Sequence, residues 1–320
     1  MLYVIARACQ SIFGGASRYL CPRPILGAAR QVGITGTTRQ LASGRTGGPR
    51  GAKRHKQATS NAPETPYNLE GLYEDTVLHP AVLHTRYKRF LGDVTLDAGE
   101  PSTSAVQTVH VPNTGPMTGL LDELPTDVLL SKSSNAKRKY AHTLEWMRVD
   151  GTWVGVHSAK ANAMVGQLLD AGVLDAHLPA FTTYNREVRI GGGKSPATRI
   201  DFELVNEETD ARCLVEVKSV TMKDGDTAVF PDTKSARAQK HVRELVAWRE
   251  KHDMEVVMLY VVQRDDCKRF LPSKQHDPEY YDLVRRGIEE GGLRVLVVEV
   301  GLEAGVPRYN GVLDIGDMMT

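Results

Sequence analysis

Between about residues 76 and 157 the apolar runs are short and separated by turn residues: Ala81 to Leu83, Tyr87 to Val94, Val106 to Val111, Asp127 to Ser131, Leu144 to Val149 and Trp153 to Val156. Five or six short strands with Gly, Pro and Asn between them predict a small β-barrel. From about residue 158 the period changes. Lys160 to Ala171 reads as a helix, followed by strands over Arg186 to Ile190, Arg199 to Val205 and Leu214 to Thr221. An amphipathic helix over Thr233 to His252 comes next, with Ala238, Val242, Leu245 and Val246 on one arc. The almost wholly apolar strand Glu255 to Val262, a helix over Pro278 to Gly291 and a buried strand over Arg294 to Val300 complete the pattern. The order α, β-β-β, α, β, α, β describes a mixed sheet flanked by helices, so the fold class is α+β or mixed.

The first 60 residues differ from both regions. They hold ten Lys or Arg and no Asp or Glu, and the first acid is Glu64. An acid-free, Arg-spaced start rich in Ser, Thr and Gly predicts an organelle-targeting peptide, mitochondrial (matrix) or alternatively plastid. A basic arm that itself binds nucleic acid is the competing reading. Gly, Pro, Ser and charge from about 40 to 75 suggest linker. The expected organisation is therefore 1–75 leader and linker, 76–157 barrel, 158–310 second domain and 311–320 tail. No apolar run is long enough to cross a membrane. The four cysteines, at positions 9, 21, 213 and 267, lack the spacing of a zinc site or disulfide framework.

Without the leader, thirty Lys and Arg face thirty-nine Asp and Glu, about −9 overall, which excludes a uniformly basic nucleic-acid-binding surface. Phosphate contacts must come from local clusters. Arg86, Tyr87, Lys88, Arg89 and Phe90 interleave cations with aromatics, and strand alternation would put Arg86, Lys88 and Phe90 on one face. Lys137, Arg138, Lys139 and Tyr140 repeat that make-up on a loop. Cations beside stacking aromatics suit single-stranded nucleic acid. Between them, residues 110–119 read HVPNTGPMTG. Asn113 and Thr114 there suit either local turn bonding or a polar loop facing ligand.

In the second region carboxylates appear where burial is expected. Asp201 opens one strand, and Glu216 and Lys218 share a face of the next. A turn near Asn206 to Asp210 would bring Asp201 close to Glu216, with Glu187 on the preceding strand as a third acid. Carboxylates brought together repel unless one is protonated or a cation lies between them. Hard oxygen ligands of this kind suit Mg²⁺ or Mn²⁺, and Lys218 would stand beside the metal-bound water. The following helix carries Lys234, Arg237, Lys240 and His241 along an arc that suits a phosphate backbone or an ordinary solvated face.

The blocks RYKRFLGDV (86–94), HVPNTGPMTG (110–119), KRKYAHTLEW (137–146), RIDFEL (199–204), VEVKSVT (215–221), FPD (230–232) and QKHVREL (239–245) resemble, in order, the signature blocks of the sugar fermentation stimulation protein (SfsA) family. The resemblance implies an N-terminal OB-fold barrel joined to a PD-(D/E)xK nuclease-like domain, with DNA binding as the attributed activity. It places the superfamily's metal-binding acids on Asp201 and Glu216, its lysine on Lys218 and an additional acid on Glu187. The expected partner is DNA, or alternatively RNA, with a homodimer left open. The expected function is a Mg²⁺-dependent phosphodiesterase, with a catalytically silent DNA-binding regulator as the alternative. The leader departs from the bacterial members.

Overall fold

A computed structural model describes residues 53–54, 65–73, 77–97, 105–191 and 197–318. The expected targeting peptide lies outside these residues. Two short strands, β1 (Lys53–Arg54) and β2 (Tyr67–Asn68), precede six that build the barrel: β3 (His79–Tyr87), β4 (Leu91–Leu96), β5 (Val106–His110), β6 (Thr126–Lys132), β7 (His142–Val149) and β8 (Thr152–Gly155). They pair in the order β5-β4-β3-β6-β7-β8, and a further β5–β7 pairing closes five of them into a barrel. Alternate residues such as Leu83, Val94, Val109, Val128, Leu130 and Leu144 fill its interior.

The chain then forms α1 (Lys160–Asp170), β9 (Thr183–Ile190), β10 (Thr198–Asn206), β11 (Ala211–Val220), β12 (Met222–Asp224), β13 (Thr227–Phe230), α2 (Ala236–His252), β14 (Glu255–Val262), β15 (Arg269–Pro272), α3 (Pro278–Glu289), β16 (Arg294–Glu303), β17 (Val306–Val312) and β18 (Asp314–Ile315). The main sheet runs β1-β9-β10-β11-β14-β16-β17-β2, and β12, β13, β15 and β18 form a smaller one. β11, β14 and β16 are mutually parallel, so β14 is central and apolar almost throughout. One face packs on α1 through Val215, Val217, Leu259 and Val261. The other packs on α2 and α3 through Leu214, Met258, Tyr260, Val242 and Val284.

Two expectations change. Part of the stretch read as linker belongs to the main sheet: Tyr67 and Asn68 pair with Tyr309 and Arg308 of β17, and Leu69 is buried. β17 also runs past position 310, into what was expected to be a tail. A two-residue strand carries no legible alternation, and its partner lies far along the chain. The second change is that the run from Tyr87 to Val94 is not one strand. Lys88 and Arg89 take positive φ (46° and 65°), and the Phe90 amide bonds the Lys88 carbonyl, which turns β3 into β4. Arg86, Lys88 and Phe90 therefore do not share a strand face.

Candidate functional site

β10 and β11 are antiparallel, and their ladder is last in register at Phe202 opposite Val215. The next pair would be Asp201 and Glu216. There the backbone ladder gives way to a side chain: the Val217 amide donates to Asp201 Oδ2 at 2.8 Å. The other oxygen, Oδ1, accepts from Asn162 Nδ2 of α1 at 2.6 Å. Desolvation, followed by the charge of Glu216, holds the Asp201 carboxyl above its ordinary range.

Glu216 is buried, at 2% exposure. Its Oε1 takes both the Lys218 ammonium and His241 Nδ1 of α2. Burial raises its carboxyl, but Lys218 and His241 together outweigh that and hold it below the usual carboxylate range. The two acids are thus driven apart, Asp201 up and Glu216 down. Glu216 Oε2 is buried with no hydrogen-bond partner. Lys218 and His241 also approach each other, at 3.4 Å.

The remaining expected site residues divide. Glu187 lies on β9 across from Asp201, but its φ of 53° departs from strand geometry and its side chain is two-thirds exposed, paired with Arg199 at 3.1 Å. It does not join Asp201 and Glu216. His241, expected on a phosphate-facing arc, is buried against Glu216 instead, because α2 turns that side toward the sheet. Lys240 stays exposed and pairs with Glu244 one turn on. Asn162 was missed; a lone Asn on a helix has no sequence signal. Among the described residues no group of three or more His, Cys, Asp or Glu is arranged to hold a metal ion.

On the barrel, Arg86 is committed internally. Its guanidinium donates to the carbonyls of Asn113 (2.8 Å), Gly115 (3.0 Å) and Pro116 (3.0 Å). The Asn113 side chain is buried: its Oδ1 accepts from the Gly115 amide, a local turn bond, and its Nδ2 donates to the Val156 carbonyl 43 residues on. Thr114 is exposed. Tyr87 is half-buried with its hydroxyl donating to Asp93, so a carboxylate stands beside the expected stacking ring. Lys88, Arg89 and Phe90 are exposed at the β3–β4 turn. Lys137, Arg138 and Lys139 are exposed between β6 and β7, with Lys139 over the Tyr140 ring.

The fold is that of a closed OB barrel followed by a mixed α/β domain with few helices. Comparison with known proteins agrees. Residues 85–156 match the family model of the SfsA N-terminal OB domain, and 159–305 that of the sugar fermentation stimulation protein RE domain. The sugar fermentation stimulation protein homolog of Crocosphaera subtropica is 37% identical over 248 residues, 78% of this chain and 99% of that protein. The homologs of Nostoc sp. (42% identical, 75% of this chain and 96% of theirs) and Gloeobacter violaceus (41%, 76% and 98%) are similar. The chain belongs to the sugar fermentation stimulation protein family. The structure of Pyrococcus furiosus SfsA in complex with Ca²⁺ shares the fold, with a TM-score of 0.65 at 20% identity, covering 77% of this chain and 99% of that one. No helix among the described residues is long and apolar enough to cross a membrane.

Proposed function

We propose that this protein binds nucleic acid, DNA in the first instance, and hydrolyses its phosphodiester bonds at Asp201, Glu216 and Lys218. The observation that carries the reading is the buried Glu216 Oε2. A buried anionic oxygen without a partner is costly unless a cation or proton meets it. The other Glu216 oxygen and both Asp201 oxygens are already held. Two carboxylates with water and substrate phosphate filling the remaining positions suit Mg²⁺ or Mn²⁺. The Ca²⁺ complex of the Pyrococcus furiosus protein supports a divalent cation in this fold.

Bound between Asp201 and Glu216, such a cation would neutralise charge and lower the pKa of a bound water. Asn162 and the Val217 amide keep the Asp201 carboxylate in one orientation. His241 and Lys218 do the same for Glu216. The Lys218 ammonium adds positive charge where negative charge develops on phosphorus. The family's OB barrel supports strand binding, and the cations and Phe90 at the β3–β4 turn offer phosphate and stacking contacts.

A catalytically silent binder is the second reading. It is favoured by the absence of Glu187 from the acid pair and by the double occupation of Glu216 Oε1. Incubating the purified chain with single- and double-stranded DNA and RNA, with Mg²⁺ or Mn²⁺, separates the two. Cleavage lost in Asp201→Asn, Glu216→Gln and Lys218→Ala supports the enzyme. No cleavage of any form by the wild type, with binding retained, leaves the silent binder. We also propose import into an organelle, mitochondrion or plastid, through residues 1–40, tested by their fusion to a fluorescent reporter.

A further inference from the structure

We propose that Arg138, His110 and His157, at the rim of the barrel, form a phosphate-binding subsite that delivers a nucleic-acid strand to Asp201 and Glu216; this rests on the nucleic-acid reading above. Glu145 lies at the base of the cluster and is 2% exposed. Ser131 Oγ donates to its Oε1 at 2.5 Å, and His157 Nδ1 meets its Oε2 at 2.8 Å. Both carboxylate oxygens are thus spent on holding neighbours, and His157, with Nδ1 turned inward, presents Nε2 away from Glu145. Its side chain keeps 20% of its surface exposed.

Arg138 completes the rim. Its guanidinium donates to the buried Thr143 hydroxyl at 2.8 Å and reaches His110 Nδ1 at 3.4 Å. An Nδ1 that faces a guanidinium accepts, so His110 carries its proton on Nε2 and is a donor there. Burial, then Arg138 and His157, push the His110 ring below its ordinary pKa, in keeping with that neutral form. Exposed Lys137 and Lys139 flank Arg138. By contrast, Arg86 and Tyr87 of β3 are already engaged, Arg86 on three carbonyls and Tyr87 on the Asp93 carboxylate.

The position suits delivery. His157 precedes Asn162, which holds Asp201, by five residues, at most about 18 Å from Cα to Cα. That is the rise of about five stacked nucleotides, so one strand reaches both places. The bland role for Glu145 and His157 is to tie the last long barrel strand to the start of α1, and a role of that kind does not involve Arg138.

The test measures binding of a short single-stranded oligonucleotide and its duplex to the full chain across a salt series without divalent cation. Variants are Arg138→Gln, His157→Gln and, as a control on another exposed barrel histidine, His84→Gln. Arg138→Gln and His157→Gln should each weaken binding about tenfold. Arg138→Gln should also lower the slope of log affinity against log salt by about one, both read per folded molecule because the variant loses the bond to buried Thr143. His84→Gln should match wild type. Wild-type affinity and salt slope in Arg138→Gln overturn the subsite while leaving nucleic-acid binding standing. A wild type that binds neither oligonucleotide sinks the nucleic-acid reading, and the subsite with it.

Discussion

The Asp232 carboxylate accepts a hydrogen bond from the Met117 amide at 3.2 Å, across 115 residues of chain. Thr118 Oγ1 donates to the Asp232 carbonyl beside it. Arg86 grips the same 110–119 loop from the barrel side. The loop is therefore a strut, with one end in the barrel and the other on the turn that precedes α2. Two of the sequence blocks that resemble the family, HVPNTGPMTG and FPD, meet here.

Gly115 should be intolerant of a side chain because of Asp232. A Cβ there would lie 2.7 Å from Asp232 Oδ2, whose position the Met117 amide holds. Gly115→Ala should cost about 1–3 kcal/mol in urea unfolding. In an Asp232→Ala background the cost should shrink, giving a coupling of about 0.5–3 kcal/mol in the double-mutant cycle. Strict additivity would mean the contact carries no energy.

Arg86 should matter to stability and not to ligand affinity. Burial draws its guanidinium below the usual range while Asp232 opposes that, and its carbonyl partners lie in three different residues. An ammonium lacks the planar fork that reaches them all. Arg86→Lys should lose about 1–3 kcal/mol with nucleic-acid affinity per folded molecule unchanged. An affinity loss at full stability would return Arg86 to the binding surface.

At the β3–β4 turn the prediction is reversed. Lys88 and Arg89 occupy left-handed backbone that costs a non-glycine residue about 1 kcal/mol, so local stability does not explain them. Arg89→Gly should raise the unfolding midpoint and weaken nucleic-acid binding together. Equal affinity in the stabilised variant would leave the turn without a ligand role.

The two site acids should respond to neutralisation with opposite signs. Asp201 has a raised folded pKa, so its ionised form opposes folding above that pKa and the effect vanishes below the unfolded value. Asp201→Asn should raise the melting temperature at pH 7, with the gain closing as pH falls below about 4. Glu216 has a lowered folded pKa, so its contribution is present above the unfolded value and fades as pH falls through the folded one. Glu216→Gln strands Lys218 and His241 and should cost about 3 kcal/mol or more at neutral pH. Thermal unfolding of both variants from pH 3 to 8 reads the pair directly, and matching signs would mean the carboxylates do not have these environments.

Local periodicity carried much of this architecture into the sequence. The apolar run Glu255 to Val262 is β14 to the residue, and α2 follows the arc of Ala238, Val242 and Leu245. Alternation put Glu216 and Lys218 on one face, and the turn after Asn206 made Asp201 its cross-strand neighbour. Each of these needs only residues close along the chain, because strand and helix repeats are short-range properties of the backbone. What tertiary structure decided is which polar group meets which. Asn162 came to Asp201 from 39 residues away and His241 to Glu216 from 25, while Glu187 was turned out to Arg199. Arg86, a phosphate contact by local pattern, became a structural anchor for a loop about 30 residues on. A side chain's hydrogen-bonding capacity is legible in its residue type, but a buried group takes whichever partner the packed helices and loops bring within about 3 Å, and that geometry exists only once the domains have assembled.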